Sequence, residues 1–590
     1  MEVKHGLGYQ NYEKMMRNHI FYIDKTNFIR EWWEYADEVT LITRPRRFGK
    51  TLNMSTVECF FSNQYADRSD LFEGRIVWQD EKMQKLQGTY PVIFMSFAGA
   101  KSGYEETDGA LKLDSIESMK TAVKKIIVRA YKKFKEITKA EMFEEDDRAY
   151  YASVKKDMPD EMAVTSSSML SMFLEKYYHK KVLILLDEYD TPMQKSMSFA
   201  SQNTGMYGYW NQAAAFFRSF FVNTFKDNDS MERGLITGIT RISKESIFSE
   251  LNHLVVVTTT SEKYAACFGF TQEEVFRALD SASLGSHKEG VQKWYDGFSF
   301  GAYKDIYNPW SILSFISEKG RYAPYWANTS SNSLVSTLIR TADIETKQVV
   351  EDLLDGKCFT APIDEQIVFD QLTGDTNAVW SLLLASGYLK IVEREPLTAD
   401  RADDIQYTLT LTNREVLLLF RNMVKGWFGI DVKGSMYNGF VKAMLLDDVD
   451  YMTEYMNEIA LNSFSSFDIA ASAAKNDHPE RFYHGFVLGL MVGLRGRFEI
   501  LSNRESGLGR YDVMLKPCDR AKDMAYIIEF KVFMPQKEST LEDTVANALS
   551  QIAEKQYEAA LVADGIATDR IRKYGFAFQG KTCLIGKETR

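Results

Sequence analysis

The chain has 590 residues, 45% of them apolar and 26% charged, with a formal net charge of -11. That length exceeds what one core holds and suggests roughly three or four domains. The acidic balance excludes a nucleic-acid binder that works by bulk positive charge, though not a local basic groove. Five cysteines stand far apart without a C-x-x-C pair, which disfavours a structural zinc site or a disulfide framework. No apolar run approaches about 18 residues, so no membrane segment is expected. The N-terminus lacks a secretory apolar stretch, and these points together predict a cytoplasmic protein.

Taken in chain order, the first strong signal is Val39-Thr40-Leu41-Ile42-Thr43, an apolar run that reads as a buried strand. Arg44-Pro45-Arg46-Arg47-Phe48-Gly49-Lys50-Thr51 follows, then Leu52-Asn53-Met54-Ser55, which reads as the start of a helix. Strand, loop, Gly-Lys-Thr and helix form the arrangement that cradles a nucleoside triphosphate. Backbone N–H groups at such a loop face the phosphates. Lys50 is placed to reach the β and γ oxygens, and the Thr51 hydroxyl to hold Mg²⁺. Only the last three positions of G-x-x-x-x-G-K-[ST] are met, with Arg44 where the first glycine belongs. Arg46 and Arg47 add positive charge beside the loop, or pair with acids elsewhere. The bland alternative is a chance Gly-Lys-Thr at a helix start.

Pro91 to Phe97, Val182 to Leu186 and Gly234 to Thr240 are further short apolar strands. They alternate poorly, as strands buried on both faces do, so residues 1–255 predict a doubly wound parallel α/β domain. Between them, Lys120 to Lys139 reads as an amphipathic helix with a solvated lysine face, or alternatively as a nucleic-acid contact surface. The strand from Val182 ends in Asp187 and Glu188, and in an NTPase such a strand is expected beside the phosphate-loop strand. Asp187 is a candidate Mg²⁺ ligand and Glu188 a candidate general base for an attacking water, which favours hydrolysis over transfer. Arg241, at the end of the next strand, is a candidate for stabilising the transferring charge, in cis or across a subunit boundary.

Residues 256–430 read as mostly helical, with turns at Trp294-Tyr295-Asp296-Gly297-Phe298 and at Asn308-Pro309, which opens a helix over Trp310 to Ile316. The last unit, 431–590, begins with helices and becomes β-rich from Arg497. Gly509 to Leu515 and Ala525 to Val532 read as two strands, followed by a helix over Leu541 to Leu561. Period 2 puts Glu529 and Lys531 on one face. A hairpin brings Asp512 to Glu529, two carboxylates suited to a hard divalent cation, with Lys531 to orient water or phosphate. Gln551 and Tyr557 can add polar contacts. Glu480 and Glu505 are rival third carboxylates, and His484 reads as packed or capping.

Phe21-Tyr22-Ile23-Asp24-Lys25-Thr26, the Arg44 to Thr51 string, Leu186-Asp187-Glu188-Tyr189-Asp190-Thr191-Pro192 and Thr240 to Phe248 together resemble the AAA-ATPase-like family of bacterial proteins. Ser502 to Asp512, Ile528-Glu529-Phe530-Lys531 and Ala548-Leu549-Ser550-Gln551-Ile552 resemble the PD-(D/E)XK nuclease domain that accompanies it. The resemblance implies a P-loop ATPase core, a helical or winged-helix-like middle and a restriction-endonuclease-like α/β end. It carries over Lys50 and Thr51 for ATP and Mg²⁺, and Asp187 and Glu188 for hydrolysis; Arg46, Arg47, Phe48, Gly49, Leu52 and Arg241 stand beside these as further candidate nucleotide-binding residues. It also implies a metal-dependent nuclease site of Asp512, Glu529 and Lys531. The expected function is ATP hydrolysis coupled to cleavage of nucleic acid, DNA foremost. The alternative is a nucleotide-driven signalling or scaffold switch with an inactive nuclease-like domain. A homo-oligomer is an open expectation, with Arg241 the candidate residue acting in trans.

Overall fold

A computed structural model describes residues 5–98, 116–193, 209–239, 247–248, 250–326, 335, 338–339, 344–354, 356–364, 376–394, 405–426, 437–463, 487–488, 490–491, 494, 497–502, 505–506, 509–520, 523–580 and 582–588. The chain divides into two compact units, one of residues 1–338 with 356–417 and the other of residues 339–355 with 418–590. Among the described residues no helix is long and apolar enough to cross a membrane.

The first unit is built on five strands: β1 (Val39–Thr43), β2 (Val92–Ser96), β3 (Val182–Asp187), β4 (Met231–Gly238) and β5 (Leu254–Val257). Their order is β2-β3-β4-β1-β5 and every pairing is parallel. Every residue of β1 and β3 is buried, which is why neither alternates in sequence. Contrary to the expected adjacency, the acidic strand β3 does not adjoin β1; β4 lies between them. Strand order is set by long crossovers that leave no local trace in the sequence.

The lysine-rich segment forms the helix Ile116–Lys133, burying Met119, Val123, Ile126, Ile127, Ala130 and Tyr131. Lys120 and Lys124 each reach Asp160 at 2.7 Å, and Lys133 reaches Glu58 at 2.8 Å. Part of the lysine face is thus neutralised within its own unit, which favours the amphipathic-helix reading over a nucleic-acid surface.

The stretch after residue 255 is less helical than expected. β6 (Phe270–Thr271), β7 (Phe298–Phe300) and β8 (Tyr303–Tyr307) form a small antiparallel sheet in the order β6-β8-β7. β9 (Phe359–Pro362), β10 (Leu389–Arg394) and β11 (Gln406–Leu411) form another, ordered β10-β11-β9. Several of these strands carry aromatic and β-branched residues, whose preference for pleated, half-buried surfaces outweighs the weak helical periodicity. Phe298 and Phe300 lie on one face of β7 by period 2, and both are buried.

In the second unit β12 (Phe498–Ser502), β15 (Val513–Pro517), β16 (Ala525–Val532), β17 (Ile571–Gln579) and β18 (Thr582–Lys587) form a mixed sheet in that order. β13 (Glu505–Ser506) and β14 (Gly509–Arg510) make a separate two-stranded ribbon. Only β16 and β17 pair in parallel, as their connection through the helix Leu541–Glu554 requires. The single strand expected over Gly509 to Leu515 is interrupted at Tyr511 and Asp512. The helix expected to reach Leu561 stops at Glu554, and Gln556 takes a left-handed conformation with φ +53° before a short helix at Ala559–Ala563.

Candidate active sites

β1 delivers the chain to the loop, and the helix Lys50–Phe61 leaves it. Gly49 has φ +83°, a region that suits glycine, and caps the helix by accepting the Asn53 N–H at 2.9 Å. Arg44, where the consensus has glycine, is fully buried. Its guanidinium donates to the Thr43 and Thr258 carbonyls at 2.9 and 2.5 Å and lies 4.4 Å from the centre of the Phe300 ring. Burial pulls it down to about 9. It braces the loop from behind. Phe48 is also buried, with ring centres 4.8 Å from Phe298 and 5.4 Å from Phe300, so its side chain anchors the loop to β7.

The loop opens on a cavity of about 340 Å³, within the usual size of a small-molecule site. Arg46 to Asn53 line it together with Glu188. Lys50 Nζ donates to the Arg44 and Pro45 carbonyls at 2.8 and 2.9 Å. Burial draws its ammonium down to about 8, against the opposing pull of Glu188, Asp190 and Asp187.

Asp187, at the end of β3, gathers three hydroxyls: Thr51 Oγ1 donates at 2.9 Å, Ser96 Oγ at 3.0 Å and Thr237 Oγ1 at 2.7 Å. Burial raises its carboxyl, and these hydroxyls offset part of the rise. Thr237 reaches Asp187 because β4 is the neighbour of β3. Glu188 adopts φ +53° and its carboxylate accepts from Thr191 Oγ1 at 3.1 Å. Arg241 and Thr240 lie outside the described residues.

Sequence reasoning gave no site role to Ser96 or to the opposite wall, where Tyr9, Phe21, Ile23, Trp310 and Leu313 line the cavity. Ser96 ends β2 and its signal was only its place at a strand terminus. Trp310 follows a turn and reads in sequence as an ordinary helix start.

In the second unit β15 and β16 pair Val513 with Ile528, so Asp512, one residue earlier, falls opposite Glu529. The Asp512 carboxylate accepts the Phe530 N–H at 2.8 Å. Glu529 is 3% exposed, whereas Lys531 is half-buried. Gln551, on the helix Leu541–Glu554, donates to Glu529 Oε1 and, at 3.0 Å, to the Tyr557 hydroxyl. That hydroxyl donates to the Arg510 carbonyl at 2.7 Å. Burial raises the Tyr557 phenol, and Glu529 and Asp512 push it the same way. The helix comes this close because Gly575 stands beside Glu529 on β17; a Cβ there would lie 2.8 Å from the Val545 carbonyl. Among the described residues no group of three His, Cys, Asp or Glu side chains is arranged to hold a metal. Glu480 and His484 lie outside the described residues, and Glu505 lies in β13.

A parallel sheet with Gly-Lys-Thr after one strand and acids at the end of another is consistent with a P-loop fold, and the C-terminal mixed sheet is consistent with a nuclease-like domain. Residues 6–248 match the family described as predicted AAA-ATPase, and residues 478–588 match the PD-(D/E)XK nuclease superfamily. The chain carries an AAA-ATPase-like domain followed by a PD-(D/E)XK nuclease superfamily domain. It is also similar to a protein of Azotobacter chroococcum mcd 1 described as an uncharacterized protein in the vnfD 5' region. The two are 23% identical over 423 residues, covering 70% of this chain and 67% of that one.

Proposed function

We propose that the N-terminal domain binds and hydrolyses ATP and that this activity controls Mg²⁺-dependent cleavage of DNA by the C-terminal domain. The observation that carries the reading is the 2.9 Å hydrogen bond from Thr51 to Asp187, which joins the loop to the acid of β3 at the edge of a nucleotide-sized cavity. Lys50 exchanges its two loop carbonyls for phosphate oxygens, and the phosphate charge restores its proton affinity. Glu188 takes the proton of the attacking water as that water's oxygen bonds the terminal phosphorus and the bond from that phosphorus to the bridging oxygen breaks, releasing ADP and inorganic phosphate. Arg46 and Arg47 balance the charge of the phosphates.

In the C-terminal domain Gln551 holds the Glu529 carboxylate, and the Phe530 N–H holds that of Asp512. Lys531 orients the scissile phosphate or the attacking water. Hard oxygen donors suit Mg²⁺, and both sites supply them: Thr51 and Asp187 in one, Asp512 and Glu529 in the other. When bound, Mg²⁺ supplies charge compensation for the phosphate oxygens.

The test is incubation of full-length protein with mixed DNA substrates and Mg²⁺ or Mn²⁺, with and without ATP. ATP-dependent cutting is expected. ATP hydrolysis with no cutting under either metal would replace the nuclease reading with a nucleotide-driven switch.

A further inference from the structure

The Arg46 carbonyl accepts two side-chain hydrogen bonds, from Asn308 Nδ2 at 3.2 Å and from Trp326 Nε1 at 3.1 Å. Both donors lie beyond the 6–248 match, and neither lines the cavity. In a trans peptide the C=O and the following N–H point in opposite directions. A carbonyl fixed by two donors outside the cavity therefore fixes the Arg47 N–H pointing away from them. Among the described residues that N–H has no backbone acceptor.

We infer that Asn308 and Trp326 are positioning residues for the phosphate loop: they clamp the Arg46–Arg47 peptide so that its N–H serves a bound phosphate. The inference rests on reading the loop as a phosphate cradle.

Two further observations fit the clamp. Arg47 has φ +67°, a left-handed conformation costly to a residue with a Cβ, which a free loop would relax. Its guanidinium lies 4.3 Å from the centre of the Trp310 ring, on the helix that Asn308 caps. The fully buried Glu415 ties the two clamp elements together. One of its oxygens accepts the Trp326 N–H at 2.6 Å, and the other accepts Ser311 Oγ at 2.8 Å. Ser311 belongs to that same capped helix, Pro309–Ser317.

The test is calorimetric titration of full-length protein with Mg²⁺-ATP, comparing the parent with Asn308→Ser and Trp326→Phe. Asn308→Ser keeps a neutral side-chain oxygen able to cap the helix and removes the amide donor to Arg46, without placing a charge at a position that is 1% exposed. Trp326→Phe keeps an aromatic ring against Phe298 and Tyr388 and loses the indole N–H. Each variant should bind about fivefold more weakly, the worth of one neutral hydrogen bond. Both hydrogen bonds are made without nucleotide, so each variant should also melt at a lower temperature when nucleotide-free, and the affinities are read well below that temperature, where every variant is folded. Affinities within twofold of the parent in both variants would overturn the clamp. So would a loss of affinity that disappears at temperatures where the variants are fully folded. A parent chain that binds no nucleotide would refute the phosphate-cradle reading itself, and the clamp with it.

Discussion

Replacing Lys50 with Met should stabilise the nucleotide-free chain at neutral pH while abolishing its response to ATP. Lys50 is 7% exposed, and burial lowers its ammonium from 10.5 to about 8. The unfolded chain holds that proton more tightly than the folded one. The folded state therefore carries the whole penalty below pH 8 and sheds it as the pH rises from 8 towards 10.5. The drop corresponds to about 3 kcal/mol. Met keeps an unbranched stem of similar length but leaves the Arg44 and Pro45 carbonyls without their donor, at about 1 kcal/mol each. The variant should thus be about 1 kcal/mol more stable than the parent at pH 7 and less stable at pH 10. Urea unfolding followed by tryptophan fluorescence at both pH values measures the difference. ATP at 100 times its dissociation constant should stabilise the parent by about 2.7 kcal/mol and the variant not at all. A stability difference independent of pH would refute the argument that Lys50 is held charged at a cost.

Three other outcomes are expected. Glu188→Gln should bind ATP with near-parent affinity and lose at least about a hundredfold in turnover, read by phosphate release; normal turnover would remove Glu188 as the base. Lys531→Ala should abolish DNA cleavage and leave the ATPase rate intact, and retained cutting would remove the assigned nuclease site. Gly575→Ala places a Cβ 2.8 Å from the Val545 carbonyl and 3.1 Å from Ala548 Cβ. It should cost about 1–3 kcal/mol and loosen the Gln551–Glu529 contact; unchanged urea unfolding would show that the helix can retreat freely.

The buried strands were legible because a parallel core demands unbroken apolar runs. β1 matches the expected Val39 to Thr43, and β16 the expected Ala525 to Val532. β2 and β3 agree within a residue of their ends, whereas β4 begins at Met231, three residues before the expected Gly234. The position of β4 between β3 and β1 was not legible, and with it went the role of Thr237 as a partner of Asp187. β7 and β8 were missed because they are short and separated by a tight turn at Gly301, so neither shows a full period. Arg44 was legible as a departure from a pattern but not as a buried brace. Its partners Thr258 and Phe300 lie more than two hundred residues away and are brought to it only by the fold.

The division of the chain has a practical consequence for anyone cutting it into fragments. The C-terminal compact unit is discontinuous, taking in residues 339–355 as well as 418–590. A clone that starts at residue 431 would omit the helices Ile344–Leu354 and Arg414–Gly426 entirely. Such a fragment would expose apolar surface that the whole polypeptide covers, including the places of Val350, Leu353 and Phe420. Loss of activity in it would report a missing piece of scaffold rather than a missing ATPase. Protease nicking of the intact protein, with the pieces kept together, separates those two causes where a truncated gene does not.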